Sequence, residues 1–380
     1  MTSASRSRSS STSNGTSASG QRGRGGYFSV NADRPCPFYK KVMGTNIVVD
    51  AFTYKHAPGT VFFLSHFHAD HYRGLSKNFV EGHIYCSSIT ANLVILRLRI
   101  PSERIRIVPM NTAFTLPNKT VVTLLDANHC PGAVLFFFEL PSGDVHLHSG
   151  DFRYCVEMKS YNTLLRRQVD VLYLDTTYCD PQYCFPPQGM IIDAIINAIR
   201  AETFNPKTLI LIGTYTIGKE KILLRVAKEF GCKIYVEKSK FQIVSKLELG
   251  KDLALFTCNP LETHVHVVPL WTLTLKRMEQ TKRRVRGRYS TIIGIQPTGW
   301  TFKQSAPLRG VASTKVGNGL LTRTSSGSCI IYGCPYSEHS SFLELRDFVR
   351  FIRPSKIVPT VVSGDYDGRK RQDMLRMLTA

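Results

Sequence analysis

The chain has 380 residues, enough for two domains or for one large core that carries an insertion. Hydrophobic residues make up 43% of it, as in a globular protein, and its net charge of +21 favours polyanionic partners, nucleic acid first. No stretch resembles a transmembrane span or a secretory signal, so we expect a soluble protein that binds no membrane.

The first part of the chain is predicted to be rich in strands. A tail over 1–30, mostly Ser, Gly, Thr and Arg, is expected to be disordered and contributes only four of the positive charges. After it come strand-length runs of β-branched and aromatic residues: IVVDAF, TVFFLSH, TVVTLLDA, AVLFFFEL, DVHLHSGD and VDVLYLDTTY. The stretch SSITANLVILRLR has the pattern of a helix.

A second domain is predicted where the pattern changes. QGMIIDAIINAIRAE and KEKILLRVAKEFG have apolar residues at helical spacing, and TLILIGTY between them has the pattern of a buried strand. This alternation predicts a parallel α/β domain over 187–325, inserted between residues 31–186 and 326–380 of the first domain. In the last segment CIIYGCPYSEH and KIVPTVVSG are predicted strands, with SSFLELRDFVRFI as a helix between them.

The stretch LSHFHADHYRGL concentrates residues that bind metals. His66 and His68 are two apart in an extended segment, so they point the same way and can share one ion. Asp70 and His71 follow where the chain turns, and can face a second ion. Imidazole and carboxylate groups suit zinc, although a histidine-rich polar loop is the simpler alternative.

Two more candidates follow predicted strands. His129 lies in LLDANHCPGAV, and Asp151 follows the run VHLHSG. Alone, His129 would be a core histidine and Asp151 a turn cap. Together with the first cluster they favour a metal centre, because several strand ends can converge on one edge of a sheet. With a metal present no side-chain nucleophile is needed, so Ser65 and Cys130 are expected to be packing residues.

The same residues fall in the order of the metallo-β-lactamase motifs. In addition, CPFYKK, VDAF, LLDANHCPGAV, GDFR, LYLDTTY, GTYTIGKEK, PTGWT and PYSEHSSFLEL resemble the DNA interstrand cross-link repair nucleases. This family is the DNA-processing branch of the β-CASP group, whose relatives include Artemis and Apollo, and the similarity is greatest to its 5′-exonuclease. The resemblance implies a four-layer αββα metallo-β-lactamase fold with an inserted β-CASP α/β cap domain, and an active site between them. The family's long N-terminal extension is expected to be reduced here to the short tail.

The resemblance also implies roles for the metal-binding residues. The first zinc ion would be bound by His66, His68 and His129. The second would be bound by Asp70 and His71, with Asp151 bridging the two ions. Asp50, in the family's first motif, would lie behind the ligands and orient one of the histidines.

Three further residues take roles from the resemblance. Asp175 in LDTTY would orient His339 in SEHSS, which would protonate the leaving oxygen or contact the scissile phosphate. The predicted catalytic residues are therefore Asp70, Asp175 and His339. Val361 falls where the DNA-acting branch carries valine and the RNA-processing branch histidine, which favours DNA.

Candidate phosphate-binding residues lie elsewhere. Lys219 and Lys221 stand where a strand passes into a helix, and are candidates for binding a 5′-phosphate; otherwise they are solvated lysines. The basic run 276–289 is predicted either to bind polyanions or to form a solvated helix face. Trp300 is expected in the core rather than as a base-stacking residue.

These observations predict a zinc-dependent, nuclear DNA nuclease with one or two zinc ions. It would be a monomer that digests DNA 5′ to 3′ from a 5′-phosphate end in interstrand cross-link and damaged-end repair, by metal-hydroxide attack on the phosphodiester. The alternatives are an RNA-processing β-CASP nuclease, a non-catalytic scaffold that binds DNA ends, and a small-molecule hydrolase. The last fits poorly with the basic charge and the cap.

Overall fold

The computed structural model describes residues 35–285, 287–299, 312–361 and 368–379. The predictions for the tail 1–30 and for Trp300 lie outside these ranges. Within them the chain forms eighteen strands: β1 (Ile47–Val49), β2 (Val61–Phe63), β3 (Ile84–Cys86), β4 (Ile105–Ile107), β5 (Phe114–Thr115), β6 (Val121–Asp126), β7 (Val134–Glu139), β8 (Val145–His148), β9 (Val171–Leu174), β10 (Thr208–Thr214), β11 (Ile234–Tyr235), β12 (Phe256–Thr257), β13 (Val265–Pro269), β14 (Thr291–Pro297), β15 (Ala312–Val316), β16 (Leu321–Ser326), β17 (Cys329–Cys334) and β18 (Lys356–Pro359).

The same residues form eight α-helices. They are α1 (Ser88–Leu98), α2 (Asn162–Arg166), α3 (Gln188–Glu202), α4 (Glu220–Phe230), α5 (Lys238–Val244), α6 (Leu275–Arg284), α7 (Phe342–Ile352) and α8 (Gly368–Thr379). Local sequence explains where some begin: α7 follows a capping box in which Ser341 and Glu344 satisfy each other's backbone N–H groups. No helix in the described part of the chain has the length and apolar character that crossing a membrane requires.

Two sheets pack face to face in the first domain. One has the order β1-β2-β3-β4 and is parallel throughout. The other has the order β18-β9-β8-β7-β6-β5, with β18, β9 and β8 parallel to one another. Strand β7 shows why they pack, since its alternate side chains point to opposite faces. Phe136 and Phe138 lie between the sheets, whereas Leu135 and Phe137 pack with residues of α7 and α8.

Helix α1 covers the outer face of the first sheet, where Leu93 and Val94 pack with Phe62 and Leu64. The layers are therefore helix, sheet, sheet and helix. This arrangement confirms the predicted four-layer αββα fold.

The second domain is built on a sheet of order β12-β11-β13-β10-β14-β17-β16-β15. Alternation along β10 again explains the packing: Ile210 and Ile212 face the core beneath α3 and α4, whereas Leu209 and Leu211 pack beside α6. Buried on both faces, β10 reads as a continuous apolar run, as a central parallel strand should. This is the predicted inserted α/β unit.

The C-terminal limit of that unit differs from the prediction of 325. Strand β17 pairs with β14 in parallel and with β16 in antiparallel, so the sheet continues to Cys334. The chain returns to the first domain only afterwards, through α7 and β18. A buried apolar strand carries no mark of which sheet it joins, so the sequence pattern alone could not assign CIIYGC to its sheet.

Candidate metal centre

A cavity of about 720 Å³ lies where strand ends of both domains meet. From the first domain, β2 leads into residues 66–71, β8 into Asp151, β9 into 175–178 and β18 into Val361. From the second domain, β10 leads into 215–219 and β17 into 336–339. The carboxyl ends of parallel strands meet at one edge of a sheet, which brings these segments together although they are far apart in sequence.

Three histidine nitrogens converge on the wall of this cavity. His66 Nε2 and His129 Nε2 lie 3.0 and 3.1 Å from His68 Nδ1. Asp151 Oδ2 lies 3.8 Å from the His66 nitrogen and 3.9 Å from the His129 nitrogen. In a tetrahedral zinc site with bonds of about 2.05 Å, neighbouring ligand atoms are about 3.3 Å apart. The two nitrogen pairs measured from His68 are therefore close to the spacing that one zinc-sized ion requires, and Asp151 Oδ2 lies next to two of the three nitrogens.

Backbone carbonyls fix two of these rings. His68 Nε2 lies 3.3 Å from the carbonyl oxygen of Ile217, and His129 Nδ1 lies 2.8 Å from that of Glu338. A carbonyl oxygen only accepts, so each of these nitrogens carries the proton and the other nitrogen turns its lone pair to the cavity. Residues of the second domain thereby help to position ligands on the first.

Asp50 connects His66 with a fourth histidine, His71. Its Oδ2 accepts hydrogen bonds from Ser65 Oγ at 2.6 Å and from His71 Nδ1 at 2.7 Å. Ser65 Oγ accepts in turn from His66 Nδ1 at 2.9 Å. Asp50 thus lies behind the candidate ligands, and contacts His71 directly and His66 through Ser65. The expectation that Ser65 is only a packing residue missed these hydrogen bonds.

The second predicted group is adjacent to the first. His71 Nε2 lies 3.1 Å from Asp151 Oδ2 and 3.7 Å from Asp70 Oδ2. Asp151 therefore lies between the two groups, as a bridging ligand would. Asp70 is at the rim of the cavity, with 74% of its side chain exposed.

The two groups differ in charge. Burial lowers the pKa of His66 and of His68, and lowers that of His129 to about 4, so these rings are neutral at pH 7. Burial also disfavours the charged form of His71, but the carboxylates of Asp151 and Asp50 outweigh it and raise the His71 pKa well above its usual value. Without metal, His71 is an imidazolium between two carboxylates.

Asp175 and His339 form a pair beside these groups. His339 Nδ1 donates to Asp175 Oδ2 at 2.8 Å, and the other carboxylate oxygen accepts from the N–H and hydroxyl of Thr177. A ring nitrogen of His339 lies within 4.8 Å of the ligand atoms of His129 and Asp151. Burial opposes the charge on His339, but Asp175 outweighs it and raises the pKa of His339 to about 9. His339 therefore carries a proton at neutral pH.

The predicted phosphate-binding lysines are placed differently from the expectation. Lys219 lines the cavity, but its ammonium contacts the carboxylate of Glu338, and its backbone N–H donates to the same carboxylate at 2.8 Å. Both side chains are buried. The charge of Lys219 is therefore already neutralised, while Lys221 points outward and contacts Asn128. Lys219 therefore does not offer the free cation that the prediction required. Lys221 keeps its charge, since its contact is a neutral amide, but it is not among the residues that line the cavity.

Other residues of the cavity had no distinctive sequence signal. Lys40 in CPFYKK lines the cavity, where its Nζ donates to the Asp50 carbonyl at 2.5 Å. Glu338 adjoins a predicted catalytic histidine, but its sequence position gives no hint of an ion pair with Lys219. Cys130 lies in the histidine cluster, yet burial raises its thiol pKa well above the usual value and disfavours a thiolate ligand.

Two remaining predictions can be placed. Val361 lines the cavity and is 45% exposed, so the side chain that is predicted to favour DNA can contact a substrate. The basic run 276–289 lies largely on α6, outside the cavity.

One family model and several known proteins are similar in sequence to this chain. A family model described as DNA repair metallo-beta-lactamase matches residues 251–365. The DNA cross-link repair protein SNM1 of Arabidopsis thaliana is 42% identical over 363 residues, which cover 94% of this chain and 72% of that protein. The DNA cross-link repair 1A protein of Gallus gallus is 42% identical over 88% of this chain, and 5' exonuclease Apollo of Gallus gallus is 34% identical over 85%.

The relatives differ in how much of their own length this chain covers. This chain spans 34% of the length of the Gallus gallus cross-link repair 1A protein and 63% of that of Apollo. Among solved structures, a protein of unknown function from Enterococcus faecalis V583 has a TM-score of 0.52 and 16% identity, over 80% of this chain and 76% of that one. At that identity the likeness concerns the fold alone.

Proposed function

We propose a specific activity for this chain, which belongs to the family of the DNA cross-link repair protein SNM1. This is a family of DNA repair nucleases with a metallo-β-lactamase domain, which binds divalent metal. The proposed activity is that of a zinc-dependent DNA exonuclease that digests 5′ to 3′ from a 5′-phosphate end, in the nucleus, during interstrand cross-link and damaged-end repair. The observation that carries the proposal is the convergence of four histidines and Asp151, with the Asp175–His339 pair beside them.

Two metal ions are proposed for these donor atoms. We assign the first ion to His66, His68 and His129, and the second to Asp70 and His71, with Asp151 shared. A divalent ion held by these residues would supply a water of lowered pKa and would neutralise charge that develops on the phosphoryl oxygens. The residues behind the ligands keep the rings in one tautomer and one orientation, which typically matters 10–100-fold for metal affinity or activity.

His339 has the properties of a proton donor. Its Nδ1 is held by Asp175, so its Nε2–H is the group that can reach a leaving oxygen, and its raised pKa keeps that proton in place at neutral pH. Asp175 is buried, with 1% of its side chain exposed, and takes three further hydrogen bonds, so it orients the ring and does not exchange its own partners.

DNA is proposed over RNA because position 361, which lines the cavity, is a valine and not a histidine, and because relatives are named for DNA repair. The test uses end-labelled single- and double-stranded DNA and single-stranded RNA of one sequence, with and without a 5′-phosphate, and a chelator control restored with zinc. We expect DNA digestion that requires the phosphate and the metal. Preferential digestion of RNA would reverse the assignment.

Variants test the residues. We expect Asp70→Ala and His339→Ala to lower the rate at least about 100-fold while the fold persists. The matched control is His83→Ala, an exposed histidine that does not line the cavity. Unchanged digestion by both site variants would refute the proposed function. No digestion by the unmodified chain, together with no bound metal on metal analysis, would favour a non-catalytic DNA-end-binding scaffold.

A further inference from the structure

An exposed tryptophan lies on the second domain, outside the metal centre. Trp271 is 69% exposed, although tryptophan is usually mostly buried. The guanidinium of Arg277 stands 4.3 Å from its ring centre, and Arg277 Nη1 donates to the Trp271 carbonyl at 3.2 Å. The cation is thus held on one side of the indole, while most of the residue remains open to solvent.

The neighbours of Trp271 hold its backbone in place. Trp271 lies in a short 3₁₀ helix, Leu270–Thr272, that follows β13 directly. Leu270 and Leu273 pack against Gly213, where a Cβ atom would come within 2.8 Å of both side chains. Leu273 is buried beside α6. Leu270 and Leu273 therefore anchor the segment to the sheet, and their packing holds the backbone of Trp271 at the surface.

Trp271 lies at the same sheet edge as the cavity. Strands β10 and β13 are parallel neighbours, in which Thr214 pairs with Pro269. Tyr215 follows Thr214, lines the cavity and is 53% exposed. Neighbouring strands are about 4.8 Å apart. Two exposed aromatic rings, one of them in the cavity wall, therefore follow adjacent strand ends.

The helix that follows Trp271 carries charge that suits a polyanion. Helix α6 has Lys276 and Arg277 in its first turn, next to Trp271, and Lys282, Arg283 and Arg284 in its last turn, with Glu279 as its one carboxylate. Arg283 is 79% exposed and is 3.9 Å from Glu279, a distance at which little of its charge is neutralised. The sequence prediction of polyanion binding by this run thus gains an aromatic partner at the end of the helix nearest the cavity.

We propose that Trp271, with Arg277 stacked on it, binds an unpaired base of a single-stranded DNA segment that leaves the cavity past Tyr215. The proposal rests on the proposed function, since that segment belongs to the nuclease substrate. Aromatic faces accept any base, and a stacked arginine adds attraction for the backbone and the base. The site therefore favours single strands without reading their sequence.

Binding tests this site without catalysis. Fluorescence anisotropy of a labelled oligothymidylate of about twelve nucleotides, a length that aromatic single-strand sites span, is measured with the full chain in chelator. We expect Trp271→Ala to weaken binding about tenfold or more, and Trp271→Phe to retain part of the affinity. Affinity for a blunt duplex of equal length is expected to change less than twofold.

The matched control is Phe204→Ala. Phe204 is 96% exposed and precedes β10, at the opposite end of the same strand from Tyr215. We expect the control to bind as the unmodified chain does. Equal binding by Trp271→Ala and the control, equal losses on single strand and duplex, no binding by the unmodified chain, or a change in oligomeric state as the only effect would each overturn the proposal. The proposed function fails separately, in the digestion assay.

Discussion

The Lys219–Glu338 pair is the sharpest test of how the two domains cooperate at the metal centre. Glu338→Gln keeps the shape of the side chain but removes its charge, and leaves the Lys219 ammonium buried without a counter-ion. Breaking a buried ion pair by removing one partner costs about 3–5 kcal/mol. We expect a loss of that size in the free energy of unfolding.

The second effect is on the metal. The Glu338 carbonyl holds His129 Nδ1 at 2.8 Å, so displacement of Glu338 also disturbs a ligand. We expect metal affinity to fall about 10-fold or more, as for other partners of ligand histidines. Denaturant unfolding in chelator measures the first effect, and competition with a zinc chelator dye measures the second.

Two further variants complete the test. In the double variant Lys219→Met with Glu338→Gln neither residue of the pair carries a charge, so at least about half of the lost stability should return. Lys221→Met is the control, since this exposed lysine should change stability by no more than about 0.5 kcal/mol. A Glu338→Gln chain within about 0.5 kcal/mol of the unmodified one would show that the pair is not a fixed, buried contact.

Three other predictions follow from the site. In the metal-free protein Asp175 raises the pKa of His339 to about 9, so its stabilisation is full below the ordinary value of 6.5 and is lost as the pH rises through 9. Denaturant unfolding should show His339→Gln less stable than the unmodified chain by about 3 kcal/mol at pH 6, with that gap closing above pH 9. His71 must lose a proton to bind metal, whereas the first three histidines are already neutral. Calorimetric titration should therefore show that the affinity for the second ion falls more steeply than the affinity for the first as the pH is lowered from 8 to 6. Equal pH dependence of the two affinities would contradict the assigned charges. Ser65→Ala removes the link from Asp50 to His66, and metal competition should show affinity about tenfold lower; an unchanged affinity would mean that Ser65 only packs.

Local sequence was sufficient for part of the secondary structure and for the cluster of candidate metal ligands. The helices α3 and α7 begin and end close to their apolar periodicity, since that periodicity is what buries one face of a helix. His66, His68 and His71 are neighbours in the chain, so their convergence needs only a strand end and a turn. Strand-end patterns extended the prediction to His129 and Asp151, and family motifs extended it to Asp175 and His339.

The state of each charge was decided only by tertiary structure. Asp175 and His339 are 164 residues apart, Lys219 and Glu338 are 119 apart, and His129 meets the Glu338 carbonyl across 209 residues. A lysine at a helix start has the same pattern whether it is free or paired, and a buried strand such as CIIYGC has the same pattern in either sheet. Sequence determined which groups could do chemistry. The packing of strand ends from two domains decided which of them meet, because burial and partners, more than residue type, fix a charge in place.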